Sequence, residues 1–403
     1  MRTTRCWLCM LVSFTLLAML MGVLSAADEP REIARPDEAA EREWMTAYIG
    51  TYTRGSDSQG IYRFRVDPVS GEMTEPELAG EVVNPSFLAI HPHGKFLYAV
   101  SEIEDLDGRP TGGVVAFSIG AANGELTRLN AQPSGGGSPC HINVDSWGGH
   151  VYVANYGGGS VAMLPIAEDG SLKPASAVVQ HAGKSVDPRR QEAPHAHSIT
   201  LSPDEKRAYV ADLGLDQVLV YDIDHKEGTL TPAEPPHASV APGAGPRHFD
   251  FHPNGELAYV INELSQTVTA FEFDAESGRL QEVQTISTLP GAPVPGNSTA
   301  DIHVHPNGKA LYGSNRGHNS IVVYAIDADR GTLKLVQHQS TLGEVPRNFA
   351  IVPGGNVLLA ENQESGTIAS FTIDPETGLL NATRQMVKVP KPVCIRFMPA
   401  TSH

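Results

Sequence analysis

Eight-residue segments with apolar fourth and sixth positions recur along the chain. They are PSFLAIHP from Pro85, PCHINVDS from Pro139, AHSITLSP from Ala196, PRHFDFHP from Pro246, TADIHVHP from Thr299, PRNFAIVP from Pro346 and PVCIRFMP from Pro392. Alternation of period two marks a half-buried strand, and the closing turn residues mark its end. A second apolar segment follows each turn: AYIGTY from Ala47, LYAVSE from Leu97, VYVANY from Val151, AYVADL from Ala208, AYVINE from Ala258, LYGSNR from Leu311 and LLAENQ from Leu358. Counted from Tyr48 through to Leu359, this segment repeats about every 47 to 57 residues, a propeller-like period. A third family joins an alternating strand to an acidic Gly turn, as in VYAIDADRGTL from Val323 and SFTIDPETGLL from Ser370.

Each unit therefore predicts strand A, tight turn, strand B, loop, strand C, tight turn and strand D. Seven such units of four antiparallel strands make an all-β, seven-bladed β-propeller. The phase of the repeats predicts how the ring closes. The chain enters on strand B near Met45–Thr51, and the last strand A, from Val393 to Met398, has no strand B after it. The C-terminal strand is expected to pair beside the first one, removing an open edge.

The first residues fall outside this pattern. Two arginines in Met1 to Arg5, an apolar run from Cys6 to Leu24 and the small residues Ser25-Ala26-Ala27 have the order of a secretory signal. We expect residues 1–27 to be a signal cleaved near Ala27, with an uncleaved membrane anchor as the alternative. Residues 28–44 form a charged tether and 45–403 the propeller. Export to the periplasm or medium follows, with no stable membrane insertion after cleavage. Cys140 and Cys394, the cysteines outside the signal, fall on strands that are not neighbours, so two buried free thiols are expected.

Charge narrows the partners. The 46 acidic against 29 basic residues leave a net charge of -17, which disfavours nucleic acid. Against that background, the start of strand A and the end of strand B carry an unusual polar load. Both lie on one face of the ring, away from the tight turns. Position two of strand A reads Ser86, Cys140, His197, Arg247, Ala300, Arg347 and Val393, while strand B ends include Glu102, Asn155, Asp212, Glu263, Arg316 and Asn362. Buried arginines need anionic partners. Structural ion pairs of Arg247, Arg316 and Arg347 with Glu263, Asp301 and Glu361 are one outcome; convergence on a ligand is the other. The set on one rim favours a binding site, with His195, His248 and Asn262 as further candidate contacts. The pairs His91/His93 and His303/His305 sit at strand-end and turn positions, and are expected to be turn or packing residues. No zinc pattern, P-loop, nucleophile elbow or dinucleotide fingerprint occurs, so no metal and no cofactor are expected.

At GAGPRHFDFHPNGELAYVINEL, PHAHS, ADIHVHPNGKALYGSNR, PRNFAI and the opening YIGTYT, the sequence resembles the seven-bladed propeller lactonase family. That family includes bacterial propeller 6-phosphogluconolactonases and fungal carboxy-cis,cis-muconate cyclases. The resemblance runs from Ala47 to about Pro399. It implies catalytic roles for the histidine of PHAHS (His197, or else His195), Arg247 of GPRH, Glu263 of NE and Arg316 of NR, and substrate binding by Arg347 of PRNF. The implied activity is metal-independent hydrolysis of a sugar lactone, with a lactone or sugar acid as the partner and the oligomeric state open. Glu263 or His197 would take the proton from water, and Arg247 and Arg316 would stabilise oxyanion and carboxylate. Export points away from a phosphorylated substrate. The alternatives are a carboxymuconate-type cycloisomerase and a non-catalytic exported propeller binding a small anion.

Overall fold

The computed structural model describes residues 44–399; the expected signal and nearly all of the tether lie outside them. Twenty-eight strands form seven four-stranded antiparallel sheets, and no helix occurs among the described residues. Blade 1 comprises Met45–Glu81 with Pro392–Phe397 as its innermost strand. Blades 2 to 7 follow as Leu88–Pro133, Pro139–Gln180, Ala196–Ser239, Pro246–Ser287, Ser298–Ser340 and Pro346–Lys388. The expected closure is present: Ile49 pairs with Ile395 and Gly50 with Cys394. Cys140 and Cys394 are buried and free, as the register predicted.

The inner strands are buried and the outermost strands polar, so the core lies between blades. The recurrent tyrosine of strand B is fully buried there, and in four blades its hydroxyl fastens that blade to the next. Tyr48 donates to Gly124 O at 2.6 Å, Tyr98 to Gly170 O at 3.1 Å, Tyr209 to Gly278 O at 2.8 Å and Tyr312 to Gly378 O at 2.8 Å, each on the C–D turn of the following blade. Turn histidines make a second set of ties. His252 Nε2 meets Gly308 O at 2.8 Å and His305 Nε2 meets Gly355 O at 2.7 Å; His91 reaches Gly148 O at 3.3 Å. His303 lies at the end of strand A, as expected, packed edge-on against Phe349 at 5.0 Å and with Nε2 3.1 Å from Asp301 Oδ2.

One local feature positions the site. In five blades the ladder between strands A and B slips at the second residue of strand A, a β-bulge, and in blade 6 it slips at Ala300–Asp301. A bulge leaves one residue unpaired and re-aims its side chain. His197, Arg247 and Arg347 are all bulged residues, and so are Cys140 and Val393.

Candidate active site

Gly245 begins the site. Its φ of +66° and the 2.6 Å approach of Leu264 to a hypothetical Cβ exclude other residues. Pro246 then starts strand A, and Gly245 O accepts the Glu263 N–H at 2.7 Å. That bond fixes Glu263, just past strand B, beside the bulged Arg247.

Glu263 is the hub. Its Oε2 lies 3.1 Å from Arg247 Nε, 2.9 Å from Arg316 Nη2 and 3.9 Å from His197 Nε2. Its Oε1 accepts from Arg190 Nη2 at 2.6 Å. Burial alone would raise its pKa, but Arg316, Arg247 and Arg190 overcome that and hold the carboxyl far below its usual range. It is a fixed carboxylate and a poor proton acceptor.

Arg247 is gripped on its other side. Its Nη1 donates to Ala300 O at 2.6 Å and to His248 Nε2 at 3.0 Å, and His248 Nδ1–H donates to Asp301 Oδ1 at 2.6 Å. Burial, then Arg347 and Arg316, lowers the Arg247 pKa to about 9. Burial and the neighbouring Arg247 push His248 down to about 4, so it is neutral and can accept from the guanidinium. His197 is neutral for the same reasons: burial first, then Arg247, His248 and Arg347, keep it well below the ordinary histidine value.

Arg347 differs from the others. Its guanidinium stacks 5.4 Å from the centroid of Tyr52 and makes no hydrogen bond or ion pair with any described residue. Arg316 Nε is likewise buried without a partner. Across the channel, Glu102 accepts from Tyr52 OH at 2.8 Å and from Ser86 Oγ. Four guanidiniums thus face two carboxylates around the mouth, a balance that favours an anionic guest. A larger cavity of about 270 Å³ lies deeper in the channel, lined by His141, His248, Asp250, Asp301, His303 and Arg396. Of the predicted site residues only His248 borders it; the others gather at the arginine-rich mouth.

The structure brings together His197, Arg247, Glu263, Arg316 and Arg347. His195 sits at the rim, stacked on Tyr156 at 4.6 Å with Nδ1 3.0 Å from Tyr156 O. Asn262 is corrected: its amide donates to Thr267 and Thr269 hydroxyls at 2.9 and 3.0 Å, away from the channel. The side chains of Asn155 and Asn362 hold the same post, donating to loop carbonyls. The ion pair weighed for Glu361 is absent among the described residues. Glu361 is wholly buried without an ion pair, and burial raises its pKa well above normal despite Arg396. Sequence reasoning missed Arg190, Tyr52 and Glu102 as site residues. Arg190 comes from the loop between blades 3 and 4, where Asp187 Oδ1 accepts the backbone N–H of Arg189 and Arg190 at 2.8 and 3.2 Å. The Asp187-Pro188 turn opening was its only signal.

The family model for the lactonase, seven-bladed β-propeller, matches residues 46–397. The 6-phosphogluconolactonase of Bacillus subtilis is 40% identical over 351 residues, covering 87% of this chain and 97% of the relative. That of Formosa agariphila is 35% identical, covering 85% and 96%. The solved periplasmic gluconolactonase of Pseudomonas aeruginosa superposes with a TM-score of 0.82 at 34% identity, covering 88% and 99%. By fold, by the family model and by these relatives, the chain belongs to the seven-bladed β-propeller lactonase family.

Proposed function

We propose that the protein hydrolyses the ester bond of a sugar lactone at the channel mouth. The unpartnered Arg347 guanidinium, beside the unpaired Nε of Arg316, carries this reading. Buried donors without acceptors cost free energy unless a ligand supplies one. A lactone gives a carbonyl oxygen that becomes an oxyanion, then a carboxylate.

His197 takes the proton from the attacking water. It is neutral, and Glu263, at 3.9 Å, stabilises the imidazolium that forms. Glu263 also holds Arg190, Arg247 and Arg316 in place, so the positive field exists before charge develops. Collapse of the tetrahedral intermediate breaks the ring C–O bond, and the His197 proton passes to the departing ring oxygen. The product is a hydroxy acid whose carboxyl loses its remaining proton to solvent, and the carboxylate rests on Arg347 and Arg316. The chain's own side chains supply base and electrophile, so we propose a metal-independent reaction. Cys140 is no nucleophile: burial drives its thiol pKa far up, against Arg247 and Arg347. The signal-like residues 1–27 support export, and hence a lactone without phosphate.

Hydrolysis of glucono-1,5-lactone and its 6-phosphate, with and without chelator, tests this. Arg247→Ala and His197→Ala should each lower kcat/KM by about 10²–10³-fold. Because His197 is held well below 6.5, the acid limb of kcat/KM should fall below that pH. Undiminished turnover in both variants would sink the assignment.

A further inference from the structure

The inter-blade tyrosine clasp changes character at one place. Tyr152, in blade 3, meets His225 Nδ1 at 3.2 Å instead of a turn glycine carbonyl. Around that contact, Asp145, His150 and His225 gather, with one ligand atom from each all within 4.8 Å of one another. Asp145 Oδ2 is 3.2 Å from His150 Nδ1 and 3.8 Å from His225 Nδ1. We propose that these residues form a binding site for Zn²⁺ or a similar borderline divalent cation.

The proton positions carry the case. His225 Nε2 lies 2.7 Å from the Glu205 backbone O, so it is the protonated nitrogen and Nδ1 carries the lone pair. Nδ1 therefore accepts from Tyr152 OH and lies 3.8 Å from Asp145 Oδ2, and a cation between the two would take the place of that hydroxyl proton. A backbone carbonyl bonded to the far nitrogen is the usual way to orient a ligating imidazole. Asp145 is orientated as well: its Oδ1 accepts from Gly149 N at 2.6 Å. Ligand atoms about 2.0–2.1 Å from a tetrahedral zinc stand about 3.3 Å apart, close to the 3.2 and 3.8 Å that separate Asp145 Oδ2 from the two imidazole nitrogens. Two imidazoles and one carboxylate suit zinc, leaving a fourth position for water.

Asp145 and His150 flank the A–B turn of blade 3, while His225 is on the C–D turn of blade 4. The ion would fasten adjacent blades on the face opposite the catalytic mouth. These residues come from separated turns, so no compact sequence spacing announces them. The site stands apart from the lactonase reading.

The test uses untagged protein, stripped with chelator, then loaded with Zn²⁺ and dialysed. Wild type should retain one Zn²⁺ per chain by elemental analysis, and its Tm should rise by a few degrees with added zinc. His150→Gln should bind at least tenfold more weakly, and His150→Gln/His225→Gln should retain none, with near-UV circular dichroism unchanged. Lactone hydrolysis should be the same in stripped and loaded wild type. Failure of wild type to retain zinc, or equal retention by wild type and His150→Gln, overturns the proposal.

Discussion

Arg347 and Glu263 pose opposite questions at the scale of single residues. Arg347 has no described partner but the Tyr52 ring, so its removal should leave the fold almost untouched. The stack is worth about 0.5–2 kcal/mol in this partly buried setting. The lost charge-assisted contact to substrate is worth about tenfold or more. Arg347→Ala should therefore raise KM at least about tenfold while Tm stays within a few degrees, measured by steady-state kinetics and calorimetry. Glu263 is the reverse, bound to three arginines and needed by the fold. Its folded pKa lies below its unfolded value of about 4.3, so its stabilisation is present above that pH and fades as the pH falls toward the folded value. Glu263→Gln should flatten the acid side of the stability–pH curve, and an unchanged slope below pH 5 would contradict this. Arg247, Glu263, Arg316 and Arg347 were legible because the repeat isolates positions where charge is anomalous. Arg190 was not, because its loop belongs to no repeat. Asn262 misled because a neighbour of a hub residue was taken to share its direction.

At the scale of elements, the period-two alternation revealed the strands but not the bulges. A bulge changes one residue's direction without changing the hydrophobic pattern, so the sequence looks the same with or without it. The tyrosine of strand B shows a related limit. Its place in the repeat was plain, but its hydroxyl partner lies on the next blade, about 70 residues away, as in the bond from Tyr209 to Gly278 O. Tyr259 occupies the same post and has no partner for its buried hydroxyl. The two should respond differently to loss of that oxygen. Tyr209→Phe leaves a buried carbonyl short of a donor and should cost about 0.5–1.5 kcal/mol. Tyr259→Phe removes an unsatisfied polar group and should be neutral or stabilising. Denaturant unfolding of the two variants decides this; equal losses would show that the hydroxyls matter for some other reason.

For the whole molecule, closure rests on one strand from the far end of the chain. Pro392–Phe397 pairs with Met45–Thr51, and Ile395 N donates to Asn348 Oδ1 at 3.0 Å, linking blade 1 to blade 7. The offset between first and last repeats foretold this, because a missing strand A and a surplus one can only complement each other. Without the last strand, the edge of Met45–Thr51 would present unpaired backbone groups and the apolar residues Ala47, Tyr48 and Ile49, all now fully buried. Such an edge invites pairing with other chains. A variant ending at Lys391 should therefore aggregate or unfold far below the wild-type Tm. The proposed catalytic residues come from blades 4 to 7 and the loop before blade 4, so its loss of activity would arise from ring opening rather than missing chemistry. A synthetic peptide spanning residues 390–399 supplies the absent strand, and added in excess it should restore monomeric protein and lactone hydrolysis together. Recovery of neither, with the peptide shown to bind, would mean that closure requires the covalent connection through Val389 to Lys391.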